Sequence, residues 1–386
     1  MVDIYRNQTD RDSSRINRTS PRWSRRRILQ TLGFSSAAFS STLGTVSADG
    51  SEDEWVKIPR RVSRGEVVST IVVPRVWNEQ RYRAREVRSK LIKDYKNDEN
   101  VRSISITAGD RRVDGSARRF LAVKVSVDSI KQADFSDSIQ DVEIQVEEYR
   151  KRRRTESGTG CLNKDTFDPI PGGVYQDTIH GTGTTTCRVE KNQSYYMLSA
   201  AHLFYDGDNC GDIEGGSVFN YDIELYGRVS EHFDNRHDWA LIDPLTSSGF
   251  SLNGNVQTWN HQKPVAGYLP KSALDHKMSM EEPVKKIGIN TGETTGQIAH
   301  IESWGNEGCV FMDGHGVTLT NHQAKGDSGA PVFEMAPNNV WMISIGAFGA
   351  GNEVGTACGA PRYEGTDGWP AYKLAEDNQV YFATNL

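Results

Sequence analysis

The chain has 386 residues, 36% hydrophobic and 25% charged, enough apolar material for a packed core and too much for wholesale disorder. No uninterrupted apolar run reaches the roughly 18–20 residues that a membrane-spanning helix needs, which excludes a multi-pass membrane protein. The net charge of −6 hides an asymmetry: residues 1–154 carry 32 Lys+Arg against 22 Asp+Glu, and residues 155–386 carry 13 against 29. A switch that sharp implies two parts with different roles. The acidic part argues against a nucleic-acid partner, and its surplus of carboxylates hints at a salt-rich habitat.

At the amino terminus, Ser24-Arg25-Arg26-Arg27-Ile28-Leu29-Gln30 precedes a weakly apolar, small-residue stretch from Thr31 to Val46, closed by Val46-Ser47-Ala48. Charged region, short apolar region and small-x-small exit form an export-signal pattern rather than a spanning helix. The arginine pair resembles a twin-arginine signal, so residues 1–48 are predicted to direct secretion; a basic disordered tail is the alternative. Residues 49–154 then read as a small basic α+β unit. Trp77 to Lys96 is a helical stretch with Val87, Leu91 and Tyr95 at four-residue spacing, and Phe120–Val127 and Val142–Val146 alternate as half-buried strands. Lys151-Arg152-Arg153-Arg154 follows, then a polar linker over 155–160. A basic run before a linker suits a proteolytic processing site as well as a solvated face.

From Cys161 onward, short strand-like runs alternate with Gly, Asn, Asp and Pro, and only Ala371–Asn378 reads as a helix. That texture predicts an all-β sandwich or barrel. Three motifs within it carry chemistry. In Gly326-Asp327-Ser328-Gly329-Ala330-Pro331 the flanking glycines let a serine sit on a tight loop, and the amides of Gly326 and Ser328 can converge on an oxyanion. Ser199-Ala200-Ala201-His202 places a histidine after an apolar strand, and Asp238-Trp239-Ala240-Leu241 opens one with a carboxylate. Together they supply nucleophile, base and orienting acid in the order His202, Asp238, Ser328. His237 adjoins Asp238, but neighbouring strand residues face opposite ways, which makes it a poor base. Asp206–Asp212 has calcium-loop-like spacing without the terminal bidentate Glu, and a hydrated loop is the simpler reading; Asn192-Gln193-Ser194 is a glycosylation sequon of low specificity. No metal and no cofactor is expected.

The three motifs resemble those of the chymotrypsin-like serine peptidases, in their bacterial and archaeal secreted branch. The spacings fit too, 36 residues from His202 to Asp238 and 90 from there to Ser328, and the resemblance covers roughly residues 160–386. It implies two six-stranded antiparallel β-barrels over 161–386, preceded by the α+β prosegment. It also implies a secreted endopeptidase acting on proteins or peptides through an acyl-enzyme, with its prosegment as intramolecular chaperone or inhibitor. A catalytically silent binding protein on the same fold is the alternative. Ser328 would be the nucleophile, His202 the base then acid, and Asp238 the residue fixing its tautomer. Ala347 would stand where relatives have Ser, 19 residues beyond Ser328, followed by Phe348 and Gly349 as pocket wall and floor. His322 would lie near the pocket base, where a cation could favour acidic side chains. With no activation sequence of the animal type, Asp327 must find a partner other than a new amino terminus. Five cysteines and no CxxC argue against a zinc ribbon and suit an exported protein, with reduced core cysteines as the alternative. The resemblance points to a shifted Cys187–Cys210 bridge and to Cys309–Cys358, leaving Cys161 free or paired with one of the others.

Overall fold

The computed structural model describes residues 54–382 except 133, 151–152, 155–159, 206–215, 221, 235 and 306–313. The export-signal motif, the linker up to residue 159, the calcium-like stretch and the cysteines at 210 and 309 all lie outside the described residues.

Helix α1 runs Arg75–Tyr95. It starts directly after Pro74, which cannot donate within a helix and has an extended ψ of 135°. Its buried residues, Trp77, Gln80, Arg81, Ala84, Val87, Arg88 and Leu91, recur every three or four positions and so form one face. That face lies on strands Val101–Arg112 and Arg119–Val127, with Val142–Glu148 parallel to the second. Two of the buried residues are arginines, which burial permits only with partners.

The body is the expected all-β pair of units, antiparallel except where Leu252–Gln257 pairs with Ile170–Gly172 and Gln262–Tyr268 with Val340–Ala357, which are parallel. The first is a seven-stranded sheet, in the order Thr182–Thr184, Tyr175–Thr178, Ser217–Phe219, Leu225–Asp234, Trp239–Pro244, Ser194–Ser199, Cys187–Lys191. Met197, Leu203, Phe204, Tyr226 and Ile242 fill its interior. The second is built on the hairpin of Val340–Ala357 with Ala360–Pro370, flanked by Pro331–Met335, Val284–Gly288 and Gly316–Leu319. Helices α2 (Lys271–Ser279) and α3 (Ala371–Asn378) accompany it.

The amino-terminal α+β part is continuous with this second unit. Strand Ile298–Gly305 pairs antiparallel with Val101–Arg112, in the register His300↔Thr107, Ile301↔Ile106 and Trp304↔Ile104. One apolar core takes in Val87, Leu91, Ile104 and Val125 together with Ile301, Leu319, Leu274 and Tyr372. The charges also meet there. Asp275 of α2, wholly buried, is held by Arg85 at 2.7 Å and Arg81 at 3.1 Å. Arg85 also reaches Glu302 at 2.8 Å, and Glu334 takes Arg60, Arg61 and Lys277 within 2.9 Å. The basic helix and the acidic body are therefore complementary at close range.

The fold corrects the expected cysteine pairings. The disulfide joins Cys161 to Cys358 across a Cα–Cα distance of 5.8 Å, and Cys187 is a free, buried thiol. Cys187 begins a strand paired to Leu198, and its thiol is buried in the apolar core. Cys358 lies in the turn joining the two long strands, beside the segment where Cys161 donates to the Ile289 carbonyl at 3.0 Å. Neither Cys187–Cys210 nor Cys309–Cys358 forms.

Two outcomes follow for the charged seam. Asp275→Asn takes the carboxylate from the buried Arg81 and leaves Arg85 with Glu302 alone, and should cost about 3–5 kcal/mol, read as a lower denaturation midpoint. Burial alone would raise the carboxyls of Glu302 and Glu334, but Arg85 and Lys277 respectively lead the cations that hold both below the ordinary 4.5. Their contribution is complete above that value and lost as pH falls below it, so denaturation at pH 3 should show a loss that Glu302→Gln/Glu334→Gln protein shows less of.

Candidate active site

His202, Asp238 and Ser328, far apart in sequence, meet at the junction of the two β units. His202 sits in a 3₁₀ turn, Ala201–Phe204, directly after the strand ending at Ser199. Ala200 and Ala201 are wholly buried, and their small side chains allow that turn to pack down. Asp238 opens the adjacent strand in the left-handed conformation, φ +56°, which Asp tolerates better than most residues. Its carboxylate receives the His202 backbone amide at 2.8 Å, and ring Nδ1 lies 2.9 and 2.8 Å from its two oxygens. A carboxylate only accepts, so Nδ1 carries the proton and Nε2 is left as an acceptor. Nε2 stands 2.8 Å from Ser328 Oγ. All three residues are at most 2% exposed.

The serine loop is shaped from both sides. Gly326 and Gly329 have φ of +92° and +89°, and a Cβ on Gly329 would collide with the Thr184 carbonyl and come within 2.6 Å of Ser199 Oγ. From the first unit, Thr184 donates its amide to the Ser328 carbonyl at 2.7 Å and its hydroxyl to the Gly326 carbonyl at 3.0 Å; Thr186 donates to the Gly329 carbonyl at 2.6 Å. From the second, Asp327 is wholly buried and paired to an equally buried Lys286 at 2.8 Å. Its oxygens also accept from Thr291 Oγ1 at 2.6 Å and from the amides of Asn290, Thr291 and Ala324 between 2.9 and 3.2 Å. Lys286 is thus the partner the sequence demanded for Asp327. Burial pushes its ammonium below the usual value, with Asp327 opposing that shift. The signal was the adjacent pair in Val284-Lys285-Lys286-Ile287-Gly288: on a strand one of two neighbours must face inward. Gly288 is required beside it, because a Cβ there would come within 2.6 Å of Asp327 Oδ2 and closer to the rest of the carboxyl.

The remaining sequence candidates fall as follows. Ala347 is wholly buried and its carbonyl lies 3.1 Å from Ser328 Oγ; the single hydroxyl proton must therefore choose between it and His202. Phe348 stacks on the His202 ring at 5.2 Å, whereas Gly349 faces Tyr363. His322 Nδ1 is 3.2 Å from the Tyr363 carbonyl, to which it must donate. His237 bonds Asp234 at 2.6 Å and stacks on Trp369, outside the His202 constellation. Asn192 and Gln193 form the tight turn between strands Cys187–Lys191 and Ser194–Ser199. Among the described residues no His, Cys, Asp and Glu cluster could hold a metal, and no helix is long and apolar enough to cross a membrane. One feature escaped the sequence: Arg153 and Arg154 pair antiparallel with Gly349 and Phe348, the strand edge beside Ser328.

Solved structures similar to the chain include Protease A of Thermobifida fusca, with TM-score 0.41, 17% identity, and 56% of this chain covered against 99% of that one. Another is a glutamic acid specific serine protease described as using a histidine triad in substrate binding, with TM-score 0.41, 18% identity, and coverage of 55% and 99%. A third is an alpha-lytic protease homolog, N4, with TM-score 0.40, 16% identity, and coverage of 55% and 98%. No protein-family model matches the chain. No curated protein matches it either.

The Lys286–Asp327 pair gives a direct test. Lys286→Met would leave a buried carboxylate without its counter-charge, costing about 3–5 kcal/mol in a denaturation experiment, and the distorted loop should lose most of its reactivity toward a serine-directed phosphonate.

Proposed function

We propose that the protein is a serine endopeptidase that hydrolyses peptide bonds through an acyl-enzyme, made as a secreted proprotein. The observation that carries this reading is the continuous chain from Asp238 through the two nitrogens of His202 to Ser328 Oγ, every link between 2.8 and 2.9 Å.

In this reading Ser328 Oγ attacks the carbonyl carbon while Nε2 of His202 takes the hydroxyl proton. Asp238 keeps Nδ1–H in place and stabilises the imidazolium. The oxyanion is received by the amides of Gly326 and Ser328. As the C–N bond breaks, the imidazolium returns its proton to the leaving amine, freeing it and leaving an ester on Ser328. Water, deprotonated by the same imidazole, then attacks that ester; as the acyl C–Oγ bond breaks, the imidazolium returns the proton to Ser328 Oγ, and the acid is released.

The amino-terminal part takes the role of a prosegment that covers its own site and that Ser328 severs within residues 155–161. Supporting this are the pairing of Arg153–Arg154 with the strand edge at Phe348–Gly349 and the charged seam that docks α1 on the body. An extended segment on that edge competes with any other peptide for the same backbone groups. Protein and peptide substrates are the partners, and the twin-arginine motif at Arg25-Arg26 the route of export.

A fluorophosphonate probe tests the chemistry. Wild-type protein, freed of its amino-terminal part, should be labelled at Ser328, and Ser328→Ala not at all. Asp238→Asn should lower peptide hydrolysis by about 10⁴-fold, because the wrong imidazole tautomer then faces the serine. A wild-type protein that stays unlabelled contradicts the proposal.

A further inference from the structure

The geometry points to Tyr363 as the residue that closes the pocket for the side chain on the acyl side of the cleaved bond, restricting it to small side chains. This inference rests on the peptidase reading above and names its substrate class.

The pairing of Arg153 with Gly349 and of Arg154 with Phe348 shows how an extended peptide lies on this edge: antiparallel, its carboxyl end running toward Ala347. The Ala347 carbonyl is 3.1 Å from Ser328 Oγ, so a peptide residue opposite Ala347 is the one whose carbonyl the serine reaches. Residues directly opposite on antiparallel strands project to the same face, and neighbours along a strand to opposite faces. Phe348 projects toward His202, on whose ring it stacks. Gly349 therefore faces the other way, while Ala347 sits in a bulge between Gly346 and Phe348. On the peptide, the residue after the one paired with Phe348 alternates back to the face of the one paired with Gly349, so the side chain of the cleaved residue enters the space beside Gly349.

That space is already occupied. A Cβ on Gly349 would collide with ring atoms of Tyr363, coming within 2.6 Å of its Cγ. Tyr363 is 7% exposed, and its backbone is held on both sides, paired with Gln323 and with Glu353. Its carbonyl also accepts from His322. The ring therefore stands as a wall anchored by the sheet, and the pocket suits side chains of alanine to threonine size. It does not suit the arginine that the basic run 151–154 would suggest, nor does it leave His322 facing an acidic side chain. In sequence, the residue following the paired Arg154 is Thr155.

The test uses protein freed of its amino-terminal part, as in the labelling experiment above, and peptide chromogenic substrates that differ only in the residue before the cleaved bond: Ala, Thr, Phe, Arg and Glu. Wild type should show kcat/KM at least about tenfold higher for Ala and Thr than for Phe, Arg or Glu, a span ordinary for steric exclusion from a pocket. Tyr363→Ala should raise the Phe-to-Ala ratio about tenfold, and Tyr363→Phe should keep the wild-type ratio. Comparable rates on Phe in wild type, or a Tyr363→Ala profile unchanged in shape, would overturn the inference; a preference for Glu would overturn it in favour of His322. Fluorophosphonate titration separates the two levels. A labelled enzyme without the small-residue preference sinks the pocket alone, an unlabelled wild type sinks the peptidase reading with it, and if Tyr363→Ala fails to fold the wild-type profile decides.

Discussion

The buried pair of Lys286 and Asp327 is the constraint on which the site depends. An ion pair out of water is costly unless its geometry is good and its other lone pairs are satisfied. Here Asp327 takes a lysine, a hydroxyl and three amides, so the carboxylate is fully engaged and the loop that carries it is fixed. Gly326 and Ser328 flank Asp327 in sequence, so fixing it also fixes the two amides assigned to the oxyanion and the nucleophile itself. Thr184 and Thr186 of the first unit hold the same loop from the opposite side. Because the counter-ion is internal, the loop needs no new chain terminus to adopt its shape.

A second consequence concerns the amino-terminal part. It shares a sheet and a core with the second β unit, and its arginines neutralise carboxylates there, of which Asp275 is wholly buried. Covalent cleavage near residue 155 would leave that seam intact. Release would then require loss of the ion pairs or removal of the segment itself, which separates processing from exposure of the site into two events. Arg153 and Arg154 lie on the strand edge that a substrate would use, so processing alone need not open it.

Much of this was legible before any coordinates. The three motifs placed His202, Asp238 and Ser328 together because a nucleophile, a base and an orienting acid need those residue types, and the small residues around them need tight backbone. Helix α1 and the strands at 119–127 and 142–148 followed from periodicity. The cysteine pairing did not, because it depends on which loops the fold brings together: Cys187 lies on the inward side of its strand, and Cys358 beside the start of the body. Lys286 was hinted at only by two adjacent lysines in an apolar strand. Tyr363 was invisible, since its role comes from the missing side chain of Gly349 across a hairpin.

The most direct measurement is intact-mass analysis of secreted protein, wild type beside Ser328→Ala. The account predicts that wild type is cut within residues 155–161 and that Ser328→Ala keeps residues 49–154 attached by an unbroken chain. Identical processing of both, or none in either, would contradict the claim that Ser328 cleaves the chain's own linker.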